Sequence, residues 1–248
     1  MIAVSHPGKI GDALWALPAT KYLCDVNNCK ADFYTSNYCL AMKELVEAQP
    51  YINKMIVPPE YVVLRTDIGC QPWLMPIPAG YSNIYHLGFK SVPNKCIGAF
   101  IAEQVGLSPT IGYKVAYSCD VSLPKEIDGK DYISLAPRGV TSFLDLFKSF
   151  CDVCPLLVVE VGAKGEYIGK GFDATGLNML EMAAIISKSK GFVGLMSAPL
   201  VVANGFPIHK VIVHNGINWD MRHVMYSDIH HYLVNPQPSE MITALGLK

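Results

Sequence analysis

The chain has 248 residues, enough for one large domain or two small ones. It is 51% hydrophobic and only 17% charged, with a mean hydropathy of +0.26, which excludes disorder as a global description. Against 21 acidic residues stand 20 basic ones, a net charge of -1, and this balance argues against a protein whose main work is gripping nucleic-acid phosphates.

Ile2–Ser5 reads as a short buried strand and His6–Gly11 as a glycine-bearing turn. Apolar spacing predicts a helix over Asp12–Cys24, which Pro18 either kinks or delays. A strand at Ala31–Thr35, a helix at Ala41–Ala48 and a strand ending at Pro58-Pro59 complete a β-α-β-α-β run, the pattern of a parallel sheet with crossover helices. Residues 60–95 are poorly periodic and read as loops and short strands, an insertion facing an acceptor. Lys95–Val105 is helical again. Residues 107–130 carry Pro109, Gly112, Pro124 and Gly129 and read as a connection between domains spanning 1–125 and 126–248. The pattern then restarts. Tyr132–Ala136 is a strand closed by Pro137-Arg138-Gly139, Thr141–Phe150 a helix, and Leu156–Val161 the clearest strand, closed by Gly162. A helix at Leu177–Ser189, a strand at Gly191–Leu195, a short helix at Ala198–Asn204, a strand at Lys210–His214 and a helix at Glu240–Leu245 follow. Two successive β/α halves predict a site in the cleft between them, at the carboxyl ends of the strands.

The N-terminus shows no secretory signal pattern, so a cytoplasmic protein is expected. Residues 191–208 carry no charge, but their glycines and prolines divide the span into short elements and argue against a transmembrane helix. The eight cysteines read as free thiols. Cys151 and Cys154 form a lone CxxC without a second ligand pair, so a structural role is favoured over zinc or redox work.

Pro7-Gly8-Lys9-Ile10-Gly11-Asp12-Ala13, followed by an apolar run and Pro18, resembles the first strand–loop–helix of the lipopolysaccharide heptosyltransferases, glycosyltransferase family 9. Later blocks resemble it in order. Gly162 with Glu166 is similar to the loop after the second strand of the C-terminal domain. Thr175–Ile186 is similar to the helix before the donor loop, and Phe192-Val193-Gly194, Ser197-Ala198-Pro199 and Ala203–Pro207 to the donor loop itself. Two places depart: Met196 stands where the family has Asp, and Val201 where it has His. The resemblance implies a compact GT-B fold of two Rossmann-like domains and an inverting, metal-independent transfer from a nucleotide-diphosphate sugar, with Asp12 as base and no cofactor.

The residues support parts of this chemistry on their own. A carboxylate at Asp12, in a turn after the first strand, can take a proton from an acceptor hydroxyl; it can equally cap the first helix. Ser197 and Ala198 open a short helix whose N–H groups suit a phosphate. Arg138 can pair with phosphate or stand solvated at the surface. Lys9 and Gly11 in the first loop, with Gly162 and Glu166, complete the candidate donor set, Glu166 as acceptor for a ribose or base or as an exposed loop glutamate. His209, His214, His223, His230 and His231 crowd the C-terminal third, but neighbours on a strand face opposite ways and no carboxylate pattern joins them, so a metal is not expected. Trp73, Tyr81 and Tyr85 in the insertion can stack on a sugar or base, with packing of the loop favoured. The acceptor is a glycan or lipid-linked saccharide ahead of a nucleic-acid base. The reading from another class is a non-catalytic nucleotide- or sugar-nucleotide-binding protein on the same scaffold.

Overall fold

The computed structural model describes residues 1–59, 74–89, 93–108, 117–139, 143–216 and 228–247. Thr141, His223, residues 60–73 of the 60–95 insertion, Trp73 among them, and residues 109–116 of the connection lie outside them. The chain divides into two compact units, the second beginning at Cys119. Each carries its own parallel sheet.

In the first unit β1 (Ile2–His6), β2 (Ala31–Thr35), β3 (Ile52–Ile56) and β4 (Ile84–His86) form a sheet of order β3-β2-β1-β4. β1 and β2 are buried along their whole length, as strands covered on both faces must be. The predicted single helix after β1 is two: α1 (Ile10–Leu14) and α2 (Leu17–Asn27). Pro18 explains the break. It has no N–H to continue α1, and it sits in the first turn of α2, where that donor is unused anyway. A 3₁₀ segment at Asn37–Met42 leads into α3 (Lys43–Glu47), and α4 (Ile97–Gln104) packs against α2. Asp32 is buried in β2, yet it is partnered: its carboxylate accepts from Tyr81 Oη (2.6 Å) and Asn53 Nδ2 (2.7 Å). Tyr81 thereby ties the 74–83 segment over the sheet beside Tyr34 and Met75, a packing role.

The second unit contains β5 (Tyr132–Ala136), α5 (Leu144–Val153), β6 (Leu157–Gly162), β7 (Phe172–Thr175), α6 (Met179–Lys188), β8 (Gly191–Gly194), α7 (Ala198–Ala203), β9 (His209–His214), β10 (His230–Val234) and α8 (Pro238–Ala244). Its six parallel strands run β10-β9-β8-β5-β6-β7. Counted from β5 as the first, this is the 3-2-1-4-5-6 order of a dinucleotide-binding sheet. Ile133, Leu135, Val158, Val193, Val211 and Val213 on one face bury Phe147 and Phe150 of α5 and Met241 of α8. On the other face Tyr132 donates its hydroxyl to the Ile185 carbonyl of α6 at 2.7 Å. α6 begins with a reciprocal cap: Asn178 accepts the Glu181 N–H, and Glu181 accepts the Asn178 N–H.

Candidate active site

In a sheet of the second unit's order, the chain leaves β5 for one side and β8 for the other, so the loops at their carboxyl ends diverge and leave a binding place between them. The loop after β5 is Pro137-Arg138-Gly139, and the loop after β8 is Leu195-Met196-Ser197. They touch: a methyl group on Gly139 would lie 2.7 Å from Leu195 Cβ. Arg138, Ser197 and Ala198 therefore share one rim. α7 is a poorer anion site than its sequence suggests. Pro199 contributes no N–H, and the Leu200 and Val201 N–H groups both go to the Ser197 carbonyl (3.1 and 3.3 Å). Ser197 Oγ donates to the Leu195 carbonyl at 3.2 Å. Ala198 and Ser197 are the main-chain donors this turn retains. Met196 is half-buried on the same rim, whereas Val201 lies wholly inside the core.

Gly162 and Glu166 lie on the next loop of that rim, after β6. The Ala163 N–H donates to Glu166 Oε2 at 2.8 Å, and a side chain on Gly162, whose φ is +152°, would collide with the same carboxylate. The Gly176 N–H donates to the Gly162 carbonyl at 2.9 Å, joining the ends of β6 and β7. The loop between these strands is shaped from beneath by Glu160, fully buried in β6. Its carboxylate accepts the N–H groups of Ile168 (2.7 Å), Lys170 (3.1 Å) and Gly171 (2.7 Å). This glycine-rich loop is thus wrapped around the chain's own carboxylate.

The first unit places Asp12 differently from the cap reading. Lys9 is the N-cap of α1, and Asp12 is the third residue of that helix, 8% exposed. Lys9 is exposed, and Gly11 lies inside α1. The Pro7–Lys9 loop is held by the end of β2: Thr35 Oγ1 donates to the His6 carbonyl (2.9 Å) and Ser36 Oγ to the Gly8 carbonyl (3.1 Å).

Sequence comparison matches no family model and no curated protein. Comparison of structures is decisive. The E. coli heptosyltransferase WaaC, solved with ADP-2-deoxy-2-fluoro heptose, is similar over 98% of this chain and 96% of its own, with a TM-score of 0.64 at 11% identity. A glycosyl transferase of family 9 from Veillonella parvula is similar over 99% of this chain and 88% of its own (TM-score 0.63, 12% identity). The iron-containing dodecameric glycosyltransferase TibC of enterotoxigenic E. coli is similar over 95% of this chain (TM-score 0.65, 14% identity). The chain has the heptosyltransferase fold. It spans 63% of the length of TibC.

On this heptosyltransferase fold the predicted histidines of the last two strands are engaged within the second unit. His230 and His231 do face opposite ways. His231 stacks on His209 (centroids 5.4 Å apart, Nδ1 to Nε2 3.1 Å), while His230 Nε2 meets Asn204 Oδ1 at 3.0 Å. Lys210 is wholly buried and donates to the carbonyls of Phe206 (2.8 Å) and Ile208 (2.6 Å), and burial lowers its pKa to about 8. Among the described residues no group of three or more His, Cys, Asp or Glu is placed to hold a metal ion, and no helix is long and apolar enough to cross a membrane. Burial pushes the Cys151 thiol up to about 12 and raises Cys154, which disfavours the reactive thiolate.

Sequence reasoning missed His6 and Glu160. His6 was read as the first residue of a turn; it is the fully buried end of β1. Burial holds its imidazole down to about 3, against an ordinary 6.5. Between those values the unfolded chain binds the proton and the folded chain does not, so this contribution is intact above pH 6.5 and is lost as pH falls. Lowering pH from 7 to 5 is expected to remove about 1–2 kcal/mol through His6. Urea midpoints at the two pH values check this, with His6→Asn as the control that should lose less; equal midpoints for the parent would refute it.

Proposed function

We propose that the chain is a glycosyltransferase that moves a sugar from a nucleotide-diphosphate donor to an acceptor hydroxyl with inversion and without a metal. What carries the reading is the β5/β8 switch point, where Arg138, Ser197 and Ala198 share a rim on a nucleotide-type sheet. In this reading Arg138 and the Ser197 and Ala198 N–H groups neutralise the diphosphate as it leaves. Gly162 lets the chain turn under Glu166. One Glu166 oxygen is engaged by Ala163; a carboxylate has a second that can accept a ribose hydroxyl. Neighbouring strands are about 5 Å apart, so the β6 loop lies within a nucleoside's reach of the switch point. Lys9, at the N-cap of α1, and Gly11, in its first turn, belong to the first unit, with Lys9 offering a further positive charge.

Asp12 is the base. Its carboxylate takes the proton as the acceptor oxygen forms a bond to the anomeric carbon, and the bond from that carbon to the diphosphate oxygen breaks on the opposite face. ADP-heptose, with which TibC is solved and whose 2-deoxy-2-fluoro analogue is solved with WaaC, is the first donor to try; a glycan or lipid-linked saccharide is the acceptor. We place the reaction in the cytoplasm, since the seven described cysteines are all free thiols, which suits a reducing compartment.

A thermal-shift screen with ADP, ADP-heptose and other nucleotide sugars tests the donor site. A ligand at a hundred times its Kd is expected to add about 2.7 kcal/mol of stability, and Arg138→Ala should lose most of that gain. No shift with any nucleotide, or a shift indifferent to Arg138, would overturn the site. Met196 and the core position of Val201 favour one second reading, a non-catalytic binder. It predicts the same shift with no transfer to any acceptor.

A further inference from the structure

Gly8 is gripped on both sides. Its N–H donates to His6 Nδ1 at 3.1 Å, and its carbonyl accepts from Ser36 Oγ (3.1 Å) and Cys39 Sγ (3.2 Å). On its open face, a methyl group would lie 2.7 Å from His6 Cε1, 3.0 Å from His6 Nδ1 and 2.9 Å from Asp12 Cβ. The imidazole edge and Asp12 therefore flank the same glycine. His6 is 0% exposed and meets Phe89 edge-on, with ring centroids 5.7 Å apart. Because Nδ1 accepts from Gly8, the ring proton belongs on Nε2, and among the described residues that buried N–H has no hydrogen-bond partner. Phenylalanine would fill the same space beside Phe89 without burying an orphan donor. The acceptor nitrogen is what imidazole adds.

We propose that His6 is a positioning residue of the candidate active site: its Nδ1 fixes the Gly8 peptide, and the fixed Gly8, packed against Asp12 Cβ, sets where the Asp12 carboxylate stands. The functional weight of this rests on the reading of Asp12 as base; the positioning itself is measurable without turnover.

Two variants separate the acceptor from the ring. His6→Phe keeps the ring and removes the acceptor. His6→Asn removes the ring but offers Oδ1 close to where Nδ1 stood. Amide hydrogen exchange at Gly8 is expected to speed up about 10-fold or more in the Phe variant and to stay within about threefold of the parent in the Asn variant. The carbon-13 signal of the Asp12 carboxylate should shift in the Phe variant and return toward the parent position in the Asn variant. With ADP-heptose as donor probe, kcat should fall in His6→Phe at unchanged donor KM and recover in His6→Asn. Should either variant fail to fold, Gly8→Ala presses on the same contact from the glycine side and should move the Asp12 signal. Parent-like Gly8 exchange and Asp12 signal in His6→Phe, an Asn variant as perturbed as the Phe variant, or an unmoved Asp12 signal in Gly8→Ala would each overturn the proposal. The expected exchange pattern in a parent that transfers no sugar would leave the positioning standing and remove the transferase reading instead.

Discussion

Asp12→Asn is expected to slow sugar transfer by about 10²–10⁴-fold, the usual contribution of a general base. The substitution keeps the shape of the side chain and removes the proton acceptor. Folding should change little. Lys9 holds the N-cap position of α1, so the variant loses no cap, and removing one negative charge near the helix start costs about 0.3–1 kcal/mol. Nucleotide binding should also persist, because the proposed phosphate contacts belong to the rim of the other sheet. The measurement is a steady-state transfer assay beside a nucleotide thermal shift on the same preparation. A variant retaining more than about a tenth of parental turnover would remove Asp12 from the mechanism. A variant that loses nucleotide binding as well would show that Asp12 acts on the donor.

Glu160→Ala is expected to be severely damaging to folding. It leaves the N–H groups of Ile168, Lys170 and Gly171 without the carboxylate that gathers them, and it empties a fully buried site. Breaking a buried charged arrangement of this kind costs about 3–5 kcal/mol. Against a typical total of about 5–15 kcal/mol, that is a large share of stability. Glu160→Gln should cost less, since its carbonyl oxygen can still accept, but its amide turns a donor toward a donor. Urea unfolding at constant m reads the loss, and exchange of the three amides reads its location. An Ala variant within about 1 kcal/mol of the parent would mean that water replaces the carboxylate without penalty. A secondary effect is expected on nucleotide binding, because Glu166 rides on the loop that Glu160 shapes.

Much of this architecture is written in local pattern. β1, β2, β5 and β8 are short apolar runs bounded by turn residues, and burial on both faces is what such runs predict. Candidate residues placed just after predicted strands fall on the carboxyl rim for the same reason, since in a parallel sheet every strand–helix loop lies on that side. The edges were harder to read. Among the described residues β7 pairs only with β6, and β10 only with β9. An edge strand need not be apolar throughout, so Phe-Asp-Ala-Thr and His-His-Tyr-Leu-Val did not read as strands.

By itself the sequence determined most of the succession of elements, the restart of the pattern at Tyr132 and the turn that leads into Asp12, because periodicity, proline and glycine act over a few residues. Only the tertiary structure decided the strand order, and with it that the loops after β5 and β8 meet at Gly139 and Leu195. It also decided that His6 is sealed beneath Gly8 and that Glu160 collects the amides of a loop eight to eleven residues on. Pairing, burial and the capture of a distant N–H depend on which segments arrive beside one another, and no local stretch of sequence records that.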